Sequence, residues 1–418
     1  MGYPLQQALA TRLICSISLD PWNASSDPRP FQRLKELNMF LNDARILSTA
    51  LSVAAIGSFL PMAHSQTPAA DTALKLNQIQ VIGTHNSYHA GIAPNEAKLW
   101  QAKYAQIYQG LDYQHQPLAQ QFDSGVRQIE LDIYADSKGG LYAHPSGPQM
   151  VAAAHLPPDP DFDPSGIMSK PGFKVMHVQD VDYRSTCQPF TGCLEQIRQW
   201  SEAHPGHIPI FILIETKQGK PQGQLHLTEP EPFTPSTFDA LDAEIRSVFQ
   251  PGEMITPDDV LGTYNTLNEA VLAGNWPTLS SARGKVIFLM DQHPVTPVYL
   301  EGHPSLRGRV IFTNSDPGQP DAAFLERNDG PAADIAQLVR QGYLVRARTD
   351  ADTKEARIDD TTVRDAMFGS GAQLLSTDYP VNEPARWPGH FVVALPGDTV
   401  ARCNPVNASA GCNLHTAN

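Results

Sequence analysis

The sequence predicts a (β/α)8 TIM barrel, a ring of parallel strands that is irregular in places and has long strand-to-helix loops. Three observations lead there. After residue 78, short apolar runs alternate with amphipathic stretches, the pattern of βα units in a parallel sheet. About eight such runs occur, which favours a closed barrel over an open sheet. Several runs end in residues able to do acid/base chemistry or bind a metal, and a barrel gathers the C-terminal ends of its strands into one site. The 418-residue chain, 41% hydrophobic, has material for such a core, and its 36 prolines and 29 glycines suit elaborate loops.

Taken in order, Ile79–Gly83 reads as the first strand and delivers His85. The segment 94–124, with Trp100, Tyr104, Tyr108 and Tyr113, reads as helix plus loop. Val126–Tyr134 is the second strand. Residues 144–173, rich in Pro and Asp, read as an excursion without regular structure, and Phe173–His177 as the third strand. Leu194–Glu202 is a helix. Ile208–Glu215 is almost wholly apolar, as expected of a strand buried on both faces. Thr237–Phe249 is an amphipathic helix opening at a Pro-Ser-Thr start signal. Lys285–Met290, Arg309–Thr313, Tyr343–Arg348 and Gln373–Ser376 read as strands, with helices at Asp334–Gln341 and Asp360–Gly369.

Residues 1–65 stand apart. Arg45 precedes the apolar run Ile46–Leu60, and Ala63 and Ser65 follow with the spacing of a signal-peptidase site. This is the pattern of a secretory signal, short for a membrane span. Met39 stands just ahead of it. The expected organisation is therefore an upstream extension (1–38), a signal (39–65), a barrel (66–395) and a stapled tail (396–418), in a secreted or periplasmic protein. Cysteine usage agrees. Beyond Cys15, the four cysteines form two close pairs, Cys187 with Cys193 and Cys403 with Cys412, which suggests two local disulfides in an exported chain. A zinc site is the rival reading, but the pairs lie far apart with unsuitable spacings.

The formal net charge of −14 argues against a nucleic-acid binder, whose affinity rests on Lys and Arg meeting phosphates. It also argues against anionic membrane surfaces as a general partner, leaving room for transient contact. No Gly-x-Ser-x-Gly elbow and no nucleotide-binding glycine motif is present.

Four pieces carry chemistry. His85 and Asn86 end the first strand. Glu130 and Asp132, one residue apart on a strand, share a face, while Ile129, Leu131 and Ile133 face the other way. Paired carboxylates on an inward face repel unless a cation lies between them. Glu215 closes a run with no other charge and needs a partner, either a metal or Lys217. His177 ends the Lys174–His177 run; His144 competes with it as second catalytic histidine. Three carboxylates and an amide make an oxygen-rich site suited to Ca2+ first and Mg2+ second, rather than zinc. Arg184, Arg346 and Arg348 are candidate phosphate contacts through the guanidinium fork.

At these residues the chain resembles the phosphatidylinositol-specific phospholipase C superfamily, and within it the secreted bacterial calcium-dependent phosphoinositide phospholipases C. The likeness spans roughly residues 75–385. It is carried by Gly83–His89, Gln128–Tyr134 and Pro171–Cys187, and Ser376-Thr377-Asp378-Tyr379-Pro380 is similar to the ending of glycerophosphodiester phosphodiesterases of the same fold. The resemblance implies catalytic roles for His85 and His177 and calcium ligation by Asn86, Glu130, Asp132 and Glu215. The order strand-end His, helix, strand-end Glu is the family's reason to prefer His177 over His144. One departure is visible: Leu289 and Asp291 stand where the eukaryotic enzymes carry phosphate-holding lysines. The expected function is a monomeric, calcium-dependent phosphodiesterase cleaving phosphatidylinositol-type lipids to diacylglycerol and inositol phosphate. The alternatives are hydrolysis of soluble glycerophosphodiesters and a barrel that binds without catalysing; the latter would have lost a histidine or a metal carboxylate, and none is missing.

Overall fold

The computed structural model describes residues 73–219, 227–397 and 399–414. The expected extension and signal lie outside the described residues, as does Cys15. The strands are β1 (Ile79–Thr84), β2 (Gln128–Tyr134), β3 (Lys174–Val175), β4 (Ile210–Thr216), β5 (Val286–Met290), β6 (Ile311–Phe312), β7 (Phe324–Glu326), β8 (Leu344–Arg348), β9 (Leu374–Thr377) and β10 (Ala401–Cys403). The ring runs β6-β5-β4-β2-β1-β9-β8-β7. Each neighbouring pair is parallel. A parallel bridge from Asn314 to Phe324 brings the end of β6 to β7. The result is a nearly closed (β/α)8 barrel, as the sequence predicts.

Its membership differs from the sequence reading at two places. Phe173–His177 is not a barrel strand. Lys174–Val175 forms β3, which runs antiparallel to the end of β2 (Ile133↔Val175, Tyr134↔Lys174). In the ring β2 pairs with β4, from Gln128↔Phe211 to Ile133↔Thr216. A short apolar run specifies extended backbone but not direction, and here the preceding loop folds back over the mouth. The missing ring member is β7, too short to show a period. The excursion 144–173 also holds regular structure, a helix at Ser146–Ala153 and a 3-10 turn at Ile167–Ser169.

Helices pack outside the ring. Phe190–Ala203 buries Phe190, Cys193, Leu194, Ile197 and Trp200, one stripe at helical spacing. Pro235–Val248 starts where the Thr234 hydroxyl accepts from the Thr237 N–H at 3.2 Å, and it buries Phe238, Leu241, Ile245 and Val248. Ala332–Gln341 stops at Gly342, which takes a left-handed φ of 105°. A Cβ at that position would lie 2.9 Å from the Val271 carbonyl oxygen, so no side chain fits there.

The β1–β2 seam is distinctive. Those strands meet only at Gly83↔Gln128 among the described pairs. A Cβ on Gly83 would lie 1.9 Å from Gln128 Oε1, so the Gln128 side chain occupies that space. Lower down, β10 pairs antiparallel with β1 at Ile79↔Cys403, Gln80↔Arg402 and Val81↔Ala401. The tail after β10 is stapled by Cys403–Cys412, and Cys187–Cys193 ties the start of the Phe190–Ala203 helix to the preceding loop; both expected disulfides are formed.

Candidate active site

The site lies at the C-terminal ends of the strands. Asp132 and Glu215 are register partners across β2 and β4, so their side chains emerge on one face, with Glu130 two residues below Asp132. Carboxylate oxygens of Glu130, Asp132 and Glu215 all lie within 4.8 Å of one another. His85 and Asn86 reach the same place because the loop after β1 is pinned on both sides. The His85 N–H donates to the Thr377 carbonyl (3.0 Å) and the Ser87 N–H to the Glu130 carbonyl (3.0 Å). Asn86 takes a left-handed φ of 46°, tolerable for Asn. Its Nδ2 donates to the Tyr113 hydroxyl (2.9 Å), and its Oδ1 accepts from Tyr88 (3.3 Å).

Each proposed catalytic histidine is held by a carboxylate. His85 Nδ1 donates to Asp378 Oδ1 at 2.8 Å, which leaves Nε2 facing Glu130 Oε1 at 3.7 Å. His177 Nδ1 donates to Asp182 Oδ2 at 2.8 Å. A tight turn makes that contact possible. Val178 and Asp182 exchange backbone hydrogen bonds of 2.9 Å, so the chain returns onto His177. Asp182 Oδ1 also accepts from Nε2 of His89 (2.8 Å), a fully buried histidine whose Nδ1 has no hydrogen-bond partner among the described residues. His177 is an electrostatic neighbour of both His85 and Glu215. His144 is exposed in a turn, and among the described residues it makes no hydrogen bond or ion pair with the cluster.

Burial, then the Arg348 and Arg346 guanidiniums, hold His85 well below its ordinary value. Burial would raise Asp182, yet His89 and His177 together hold it below the ordinary carboxylate range. Burial pushes Glu130 up to about 7 against the pull of Arg346. It pushes Asp132 well above its ordinary value, and Glu215 adds repulsion. Such carboxylates resist full ionisation until a cation joins them.

Two side-chain cations meet the trio. Arg346 NH2 donates to Glu130 Oε2 at 2.5 Å and to Ser376 Oγ, while its NH1 is held by Glu326 and Asn328. Lys217 Nζ lies 2.8 Å from Asp132 Oδ2 and 2.7 Å from Glu215 Oε1. Asp132 Oδ1, fully buried, has no hydrogen-bond partner among the described residues. An orphaned carboxylate oxygen among three clustered carboxylates fits a hard divalent cation.

Of the arginines singled out from sequence, Arg346 and Arg348 stand at the mouth, Arg348 reaching Asp378 Oδ2 at 3.4 Å. Arg184 does not; it lies 3.6 Å from Glu96 and donates to the Pro160 carbonyl. Asp291, at the end of β5, is repelled by Glu326, Glu215 and Glu130, so it belongs to the same acidic mouth. Sequence reasoning missed Asp378, Asp182 and His89 as partners, although all three fall in the stretches quoted above. The signal was there, a carboxylate near each strand-end histidine in the chain or the ring, but it needs the fold to be read.

A model of the family "Phosphoinositide phospholipase C, Ca2+-dependent" matches residues 74–405, most of the chain. The chain belongs to that family. It is thus a calcium-dependent, phosphoinositide phospholipase C-like phosphodiesterase. No curated protein is significantly similar to it. Among solved structures, it is similar to a calcium-dependent phosphoinositol-specific phospholipase C from Pseudomonas sp. in its apo form. Identity is 17% and the TM-score 0.48, covering 80% of this chain and 97% of that one. It is also similar to a Ca2+-dependent phosphatidylinositol-specific phospholipase C from Streptomyces antibioticus, at 20% identity and TM-score 0.45, covering 73% and 95%. Family membership favours the phospholipase reading over hydrolysis of soluble glycerophosphodiesters.

Proposed function

We propose that this phospholipase C cleaves phosphatidylinositol by acid/base catalysis between His85 and His177, with calcium held by Asn86, Glu130, Asp132 and Glu215. The observation that carries the reading is the trio of carboxylates within 4.8 Å, flanked by two histidines whose Nδ1 atoms are each held by an Asp. Bound calcium would neutralise phosphate charge and lower the pKa of the attacking hydroxyl.

His85 Nε2 takes the proton of the inositol 2-hydroxyl as its oxygen attacks phosphorus. The bond from phosphorus to the glycerol oxygen breaks, and His177 Nε2 gives that oxygen its proton. The products are diacylglycerol and a cyclic inositol phosphate. Burial, then Arg348 and Arg346, disfavour a resting imidazolium at His85, which suits a base; burial also holds His177 below its ordinary value, and the Asp182 anion works against that, which is the contribution an acid needs. Asp291 in the acidic mouth supports a ring without extra phosphates.

The finer assignments belong to the same proposal. The enzyme is exported by the signal at 39–65, ahead of the barrel (66–395) and stapled tail (396–418), and works as a monomer in transient contact with a membrane. Two disulfides support export, and among the described residues no helix is long and apolar enough to cross a membrane. Exposed Leu141 and the shallow groove that Leu99, Ala102, Lys103, Met150 and Ala153 line between the helices Pro94–Gly110 and Ser146–Ala153, which follow β1 and β2 in the chain, support lipid contact.

The test is an assay on phosphatidylinositol and on glycerophosphoinositol with and without EGTA, with products read by phosphorus NMR. Diacylglycerol and cyclic inositol phosphate, lost with EGTA, are expected. Direct formation of glycerol 3-phosphate would sink the reading.

A further inference from the structure

We infer that the Lys217 ammonium is a built-in competitor for calcium: it holds the ligand carboxylates together in the metal-free enzyme and must leave when calcium binds. The inference rests on the ligand assignment proposed above. Lys217 follows Glu215 by two residues, and its N–H donates to the Ile133 carbonyl at 2.9 Å, so the β4–β2 ladder continues through it. Its side chain therefore emerges on the face that carries Glu215. Nζ sits 2.8 Å from Asp132 Oδ2 and 2.7 Å from Glu215 Oε1. Both carboxylates belong to the trio whose ligand atoms lie within 4.8 Å.

A divalent ion bound by all three carboxylates needs the space between them, and an ammonium in contact with two of them would stand against it. Like charges a few ångströms apart in a buried site repel strongly, so the two cannot share. Arg346 is not the group that yields. Its guanidinium is fixed by Glu130, Glu326, Asn328 and Ser376 together. Among the described residues, the ion pairs of Lys217 are with Asp132 and Glu215 only. Its ammonium is a compact charge on a four-carbon stem, able to swing out as a unit.

The competition has a measurable cost in affinity. Calcium titrations by calorimetry on chelator-stripped protein should show Lys217→Gln binding at least ~10-fold more tightly than wild type. In EGTA the variant should melt at a lower temperature, and the gain on adding calcium should be larger. Equal or weaker calcium affinity in Lys217→Gln would overturn the inference. A second readout uses the wild-type protein. Lys217 side-chain exposure is only 10%, so acetylation by an N-hydroxysuccinimide ester, followed by peptide mass spectrometry, should rise at Lys217 when calcium is added. Unchanged or reduced labelling would equally overturn it, and this arm decides if the variant does not fold. Asp132→Asn separates the two levels. If that change leaves calcium affinity at the wild-type value, the ligand assignment fails and this inference with it. If it abolishes binding while Lys217→Gln binds as wild type, only the competition is wrong.

Discussion

His177 Nδ1 donates to Asp182 Oδ2 across 2.8 Å, and that contact decides which ring nitrogen is left free. The proton is fixed on Nδ1, so in the proposed reaction Nε2 is the atom that would work. The same carboxylate binds buried His89, so Asp182 is held from two sides and cannot turn away.

Asp182→Asn should therefore lower kcat by ~100-fold or more with little change in KM, as expected when an orienting carboxylate is lost. His177→Ala should also cost at least ~100-fold. His144→Ala, at an exposed turn, should be milder. Steady-state kinetics on phosphatidylinositol in mixed micelles checks all three. A larger effect at His144 than at His177 would remove His177 from the reaction.

The acid and base roles separate with a different substrate. A myo-inositol phosphodiester with a nitrophenol leaving group needs no proton on departure. His177→Ala should recover most of its activity on that substrate, and His85→Ala should not, because its step, deprotonation of the 2-hydroxyl, is unchanged. Recovery in His85→Ala alone would reverse the assignment.

His207 lends the fold a pH dependence. It is buried, its Nδ1–H donates to the Ile208 carbonyl and its Nε2 accepts from the Ser201 hydroxyl, each at 2.7 Å. Burial lowers it from 6.5 to about 4. Below 6.5 the unfolded chain binds a proton that the native state refuses until about 4, so this contribution to stability is full above 6.5 and falls with pH through that window. Between about pH 7.5 and about pH 5 the loss is on the order of 2 kcal/mol. Urea unfolding at the two pH values should show His207→Gln losing less on acidification by about that amount. An unchanged difference would place the acid sensitivity elsewhere.

The disulfides close short loops, with sequence separations of 6 and 9. Chain-entropy reasoning gives each about 2–3 kcal/mol of stability. Replacing Cys403 and Cys412 together by Ser should lower unfolding free energy by that scale without altering kcat, since neither touches the mouth. Mass spectrometry of unreduced protein should return both pairs; four free thiols would also undo the case for export.

The carboxylate trio and His85 could be brought together from the chain because each is a polar residue closing, or alternating with, an apolar run, and a parallel barrel turns that local pattern into a shared place. Glu130 and Asp132 declared their face through Ile129, Leu131 and Ile133. What could not be read is long-range. Asp378 meets His85 only because β9 lies beside β1 in the ring, and nothing near either residue encodes that pairing. The direction of β3 was likewise invisible, since Lys174–Val175 looks the same running up or down; its reversal places His177 on a loop across the mouth rather than at a barrel strand's end. Lys217 could be seen as a partner for Glu215, but its reach to Asp132 depends on the β2–β4 register.

The lower half of the β1–β2 seam is lined by β10, almost the last stretch of the chain, laid against the first strand. Order of synthesis then acquires a meaning. While the domain is made, β1 waits with the edge near Ile79–Val81 open, and the strand that covers it follows every other described strand. The ends of the domain must meet before the first strand is satisfied, although the entropy of closing so long a loop grows only logarithmically with its length. A barrel whose first described strand is completed by its last cannot finish its sheet until both have been made.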